Sequence, residues 1–127
     1  MEIKFCKNRI NLIHSFGISR SSNDYYDIIY VYILDGDIIA RGEAAPSKRY
    51  HESTELILSV LEKGLKVPES SSSKDHLWGF LKPQLKGISS LEAAVNMAVW
   101  DWSAQKEKLP LFNLFGFKDE VLPKTSY

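Results

Sequence analysis

The clearest pattern along the chain is the strict alternation over residues 25–34. Tyr26, Ile28, Tyr30, Tyr32 and Leu34 share one side and Ile29, Val31 and Ile33 the other, as successive side chains of an extended strand must. Both sides are apolar or amphipathic, which predicts a strand in the middle of a sheet. Before it, Ile3, Phe5, Ile10 and Leu12 alternate less regularly and predict a first strand ending near Ile13. The polar stretch 17–24 predicts a loop between the two. Asp35-Gly36-Asp37 supplies the chemistry of a tight reversal, because glycine takes a positive φ without a Cβ clash. Residues 38–44 predict a third strand, ending before Pro46. Three strands in this order make an antiparallel meander.

Helical spacing then takes over. Leu56, Ile57, Val60, Leu61 and Leu65 recur on one face, with Ser53 or Thr54 as N-cap and Gly64 near the stop. Pro68 and the serines 70–73 form a surface connection. A short helix around Leu77, Trp78 and Leu81 ends by Pro83. Ser89 with Glu92 has capping-box spacing and opens the best helix of the chain. Pro110 and Gly116 bracket one further helical turn. The predicted fold class is α+β, a three-stranded meander followed by a helical bundle.

The long helix carries two apolar stripes. Leu91, Ala94, Val95, Ala98 and Trp102 form one, and Ala93, Met97, Trp100 and Ala104 form another roughly opposite it. The first buries against the meander and the other helices. The second needs a different partner: a neighbouring helix, a further domain or a second subunit. The apolar ending, with Leu114, Phe115 and Phe117 and no closing element, predicts that the protein continues past Tyr127.

Composition narrows the function classes. A chain of 127 residues suits one domain. Lys plus Arg is 16 and Asp plus Glu is 16, so no net field attracts nucleic acid or an anionic membrane. The lone Cys6 excludes an internal disulfide and a cysteine zinc cluster, and with no secretory segment it predicts a cytoplasmic location. His14, His51 and His76 lack metal-ligand spacing. On the residues alone, no metal-binding or nucleophile motif is found within the chain.

The densest polar stretch, 42–52, follows the third strand directly. Arg49 suits a carboxylate, whose two oxygens match its guanidinium fork, and Tyr50 could wall a pocket. Spacing alone favours a solvated surface loop with its Arg in water. Glu43, at a strand end between glycine and alanine, reads as a structural acceptor, and Asp35 and Asp37 read as turn residues. Arg20, within Ser19-Arg20-Ser21, is a second and weaker anion binder.

Four ordered stretches go further. Phe16-Gly17-Ile18-Ser19-Arg20, then Gly42-Glu43-Ala44-Ala45-Pro46 with Arg49-Tyr50-His51-Glu52, then residues 93–101, then residues 109–116 together resemble the N-terminal capping domain of the enolase superfamily. The muconate-cycloisomerase-like subgroup (mandelate racemase/muconate lactonizing enzyme family) is the nearest in form, and within it the dipeptide epimerases. Muconate or chloromuconate cycloisomerases and o-succinylbenzoate synthases are the alternatives. The resemblance implies a cap over 1–122, with 123–127 entering a (β/α) barrel that lies beyond the chain. It implies a parent isomerase that removes the proton α to a carboxylate, with Mg²⁺ and the catalytic lysines held by that barrel. Its partners are then its own barrel and a small carboxylate or dipeptide, with neither nucleic acid nor membrane, and self-association through exposed apolar surface is a further expectation. The resemblance places Arg49, Tyr50, Arg20, Ile18 and Phe16 on the substrate side. The rival from another class is a stand-alone α+β binding module.

Overall fold

The computed structural model describes residues 1–18 and 21–117. Three strands, β1 (Glu2–Ile18), β2 (Ser21–Asp35) and β3 (Ile38–Ala44), form one antiparallel sheet in the order β1-β2-β3. The strand with the strongest alternation is indeed the central one. Four helices follow: α1 (Thr54–Leu61), α2 (Lys74–Leu81), α3 (Ser89–Glu107) and the single turn α4 (Leu111–Leu114).

Alternation decides which face the helices cover. Ile29, Val31 and Ile33 are fully buried, and Ala40 and Ala44 join them from β3. Leu91, Ala94, Val95, Ala98, Val99 and Trp102 of α3 complete this core with Ile57, Leu61, Leu77, Leu81 and Leu85. Tyr30 and Tyr32 lie half-buried on the opposite face. There Tyr30 stands across from Glu43, and partial desolvation together with that carboxylate holds its phenol above the ordinary value of 10.

Helix α3 runs close beside β3 at Gly42. Gly42 faces the Ala94 carbonyl, and a Cβ there would overlap it. The edge of β3 is closed by side chains of the same helix. Asp101 Oδ2 accepts from the Arg41 amide at 2.9 Å, which makes Asp101 a structural residue of this edge. Gln105 Oε1 accepts from the Ile39 amide at 3.3 Å while its Nε2 donates to the Ile39 carbonyl at 3.0 Å. These contacts satisfy an edge that would otherwise invite another strand.

Three expectations are corrected. The first strand does not end near Ile13 but continues to Ile18, and most of the stretch taken as a loop is paired backbone. Strands beyond the packed core need no alternating burial, so their polar residues mimic a loop. The long helix is not opened by a Ser89–Glu92 box: Ile88 is its N-cap and makes no side-chain cap bond. Asp35 is more than a turn residue, because its Oδ2 accepts from the Trp102 indole at 2.9 Å. Ser53 does cap α1, accepting from the Leu56 amide at 3.2 Å, and Gly36 takes the positive φ of +60° in the β2–β3 turn.

Candidate functional site

Strand β3 ends opposite Ile29, whereas β2 begins at Ser21. The β1–β2 hairpin therefore overhangs the three-stranded sheet by roughly 25 Å at about 3.3 Å per residue. Because β3 runs antiparallel to β2, the chain leaves Ala44 at that same end. The two segments singled out from the sequence thus share one end of the sheet.

The second of them is a built turn. Residues 48–50 form one 3₁₀ turn, with Ser47 Oγ accepting from the Arg49 amide at 3.3 Å. The amides of Tyr50 and Glu52 donate to the Ser47 carbonyl at 3.0 and 3.2 Å, and His51 closes the turn in the left-handed region at φ 57°. The backbone is fixed, but the side chains are not engaged. Arg49 is exposed and Tyr50 is 65% exposed, and among the described residues neither the guanidinium nor the phenol has a polar partner. A cation and an aromatic ring held out on a rigid turn can meet a carboxylate and cover its apolar neighbour.

Glu52 anchors this turn. It is only 8% exposed, and its Oε1 accepts from the Ser89 amide and hydroxyl, both at 2.7 Å, and from the Ser90 amide at 3.3 Å. A carboxylate thus sits on the positive end of α3. Desolvation raises its pKa, but the hydrogen bonds from Ser90 and Ser89 outweigh it, and the net shift is downward.

The overhanging hairpin carries a cluster that sequence patterns did not reveal. Arg9 grips Asp27 with two bonds of 2.7 and 2.9 Å, and its guanidinium lies 3.9 Å from the centre of the Tyr25 ring. Lys7 reaches Asp27 at 3.3 Å and Glu55, in the first turn of α1, at 3.6 Å. The Arg9 hydrogen bond, ahead of that from Lys7, pulls the Asp27 carboxyl down to about 2 against some desolvation. The backbone of Phe16 and Ile18 belongs to β1, while their side chains and the whole of Arg20 lie outside the described residues.

A depression of about 530 Å³ lies elsewhere, between the start of α2, the second half of α3 and α4. Its cations are already engaged: Lys74 with Asp75 at 2.6 Å and the Trp100 ring, Lys106 with the Ser71 carbonyl at 2.7 Å and the Trp102 ring. Among the described residues no three of His, Cys, Asp or Glu come together as a metal ion requires, and no helix is long and apolar enough to cross a membrane.

The second stripe of α3 is only partly covered. Trp100 stacks on Phe115 at 4.6 Å, so the residue just after α4 supplies one neighbour, but Met97 stays 44% exposed and Phe117 61%. Leu109, Leu111 and Phe112 add further exposed apolar surface nearby in sequence.

No family model matches the chain. Curated relatives do. It is 29% identical over 120 residues to an L-Ala-D/L-amino acid epimerase of Pedosphaera parvula, covering 91% of this chain and 35% of that protein. It is 26% identical over 129 residues to one of Flavobacterium johnsoniae, covering 100% of this chain and 38% of the relative. The chain thus spans little more than a third of the length of these relatives. Among solved structures, a dipeptide epimerase of Cytophaga hutchinsonii, complexed with Mg and the dipeptide D-Ala-L-Val, superposes with a TM-score of 0.83 at 25% identity, covering 99% of this chain and 35% of that one. The L-Ala-D/L-Glu epimerase of Bacillus subtilis gives 0.78 at 25% identity, with coverage of 90% and 33%.

Proposed function

We propose that this chain, similar in sequence and fold to dipeptide epimerases of the enolase superfamily, is the substrate-capping domain of such an isomerase. The observation that carries the proposal is the likeness along nearly the whole chain to about a third of the epimerases. Under this reading residues 1–122 are the cap and 123–127 begin the barrel. The exposed surface around Met97, Phe112 and Phe115 then packs on that barrel.

The cap's own contribution is recognition and water exclusion. Arg49 pairs with a carboxylate of a dipeptide and Tyr50 closes over it, with Phe16, Ile18 and Arg20 of the hairpin opposite. Under this reading the metal and the groups that move the proton belong to the barrel. The parent works in the cytoplasm. The curated relatives named above are epimerases, which favours dipeptides as substrates.

The coding sequence past Tyr127 tests this at once. A continuing frame with a Lys-x-Lys barrel strand is expected, and a stop codon would favour the stand-alone binding module. The full-length product is expected to epimerise members of a dipeptide library, while the 127-residue chain alone shows no turnover. In that parent, Arg49→Ala should raise KM by about tenfold, the loss of one charge-assisted carboxylate pair. An unchanged KM would remove Arg49 from the site.

A further inference from the structure

The Arg9–Asp27 pair joins residues directly opposite on β1 and β2, but the network does not stop at the hairpin. Lys7 bridges Asp27 to Glu55, and Glu55 belongs to α1. Glu55 lies six residues beyond Arg49, and the segment between them is held by the Ser47 carbonyl, by the Ser53 cap and by Glu52 on α3. Past Ile29 no third strand lies beside the hairpin among the described residues, so its direction is not set by their sheet pairing alone. The Thr54 hydroxyl donates to the Glu55 carboxylate at 2.9 Å, and this orients the acid toward Lys7.

We infer that Asp27 is a positioning residue, which through Lys7 and Glu55 clasps the overhanging hairpin to α1 and sets its direction relative to the Arg49–Tyr50 turn. The geometry supports a clasp over a simple cross-strand pair. Arg9 takes one bond from each Asp27 oxygen, which leaves Oδ2 able to meet Lys7 as well, and Lys7 carries the link to another element. Arg9 in turn packs on Tyr25, so the pair is braced along the strand as well as across it. The clasp stands on the geometry alone; that the turn meets substrate rests on the proposed function.

Amide hydrogen exchange on the 127-residue chain tests the clasp. Asp27→Asn is expected to speed exchange at residues 8–11 and 25–28 by about five-fold, leaving 30–33 and α3 unchanged. Glu55→Gln changes an exposed residue of α1 and is expected to speed the same hairpin amides by about two-fold. If Glu55→Gln leaves them unchanged, Asp27 makes a local cross-strand pair and the clasp is overturned, whatever Asp27→Asn does. In the full-length parent, Asp27→Asn should raise KM about three-fold or more while kcat holds. A fall in kcat at constant KM would refute the positioning role. An inactive unmodified parent would sink the functional reading and leave the exchange result standing.

Discussion

Replacing Gly42 by alanine is expected to lower the free energy of unfolding by about 3 kcal/mol, the upper range for forcing a group into packed surroundings. The added Cβ would overlap the Ala94 carbonyl and press on the Ala98 amide. Both are backbone atoms of a 19-residue helix and cannot swing aside as a side-chain tip would. Relief requires β3 and α3 to separate. That separation would strain the Asp101–Arg41 and Gln105–Ile39 bonds that tie the two together. Urea unfolding checks the prediction through a lower midpoint at constant slope. Gly79→Ala is the matched control. It lies in α2 with open space around its Cα, and alanine there should stabilise the helix by up to about 1 kcal/mol. Equal effects at the two positions would refute the close-approach argument.

Gly42 also illustrates how far the residues speak for themselves. A glycine within a strand signals a close neighbour, but only the fold identifies that neighbour as α3. The bounds of β3, the N-cap of α1 and the buried stripe of α3 were legible, because burial imposes alternation, capping and helical spacing on the residues that take part. The hairpin was not. Counted outward from the Ile18–Ser21 pair near its tip, Arg9 would oppose Tyr30. The irregularity between Asn11 and Phe16 shifts it to Asp27 instead. A register hidden by such a bulge conceals every cross-strand ion pair below it. Asp35 was hidden for a different reason. Its local sequence explains a turn completely, so nothing called for the bond from Trp102, 67 residues away.

For the candidate site, the turn residues Arg49 and Tyr50 could be named from residue type and position after a strand. Their rigid presentation could not, since it depends on Ser47, on the left-handed His51 and on the distant serines that hold Glu52. The Ser89–Glu92 spacing pointed to a cap and located the helix start closely. It named the wrong acceptor, because a carboxylate from a preceding loop outcompetes a local serine when it reaches two amides and a hydroxyl together.

Glu52→Ala is expected to cost about 3 kcal/mol, since it leaves the first amides of α3 without an acceptor and removes a charge from the helix's positive end. Glu52→Gln keeps one acceptor oxygen and should cost less, about 1–2 kcal/mol, the difference between a charged and a neutral acceptor. The two variants differ further in their response to acid. The folded pKa of Glu52 lies below its ordinary 4.5, so the carboxylate's contribution is complete above that value and fades as pH falls through the depressed folded one. The unmodified chain should therefore lose this stability in acid, while Glu52→Gln, which has nothing to protonate here, should not. Thermal unfolding followed from pH 7 to pH 3 makes the comparison, and the gap between the two proteins is expected to narrow toward the acid end. A gap constant over that range would show that Glu52 holds α3 by shape and not by charge. The same experiment bears on the turn. If Glu52 is its anchor, the exchange of the Tyr50 and His51 amides should rise in Glu52→Ala before the sheet loosens, because their hydrogen bonds lie between the lost anchor and a strand that stays packed.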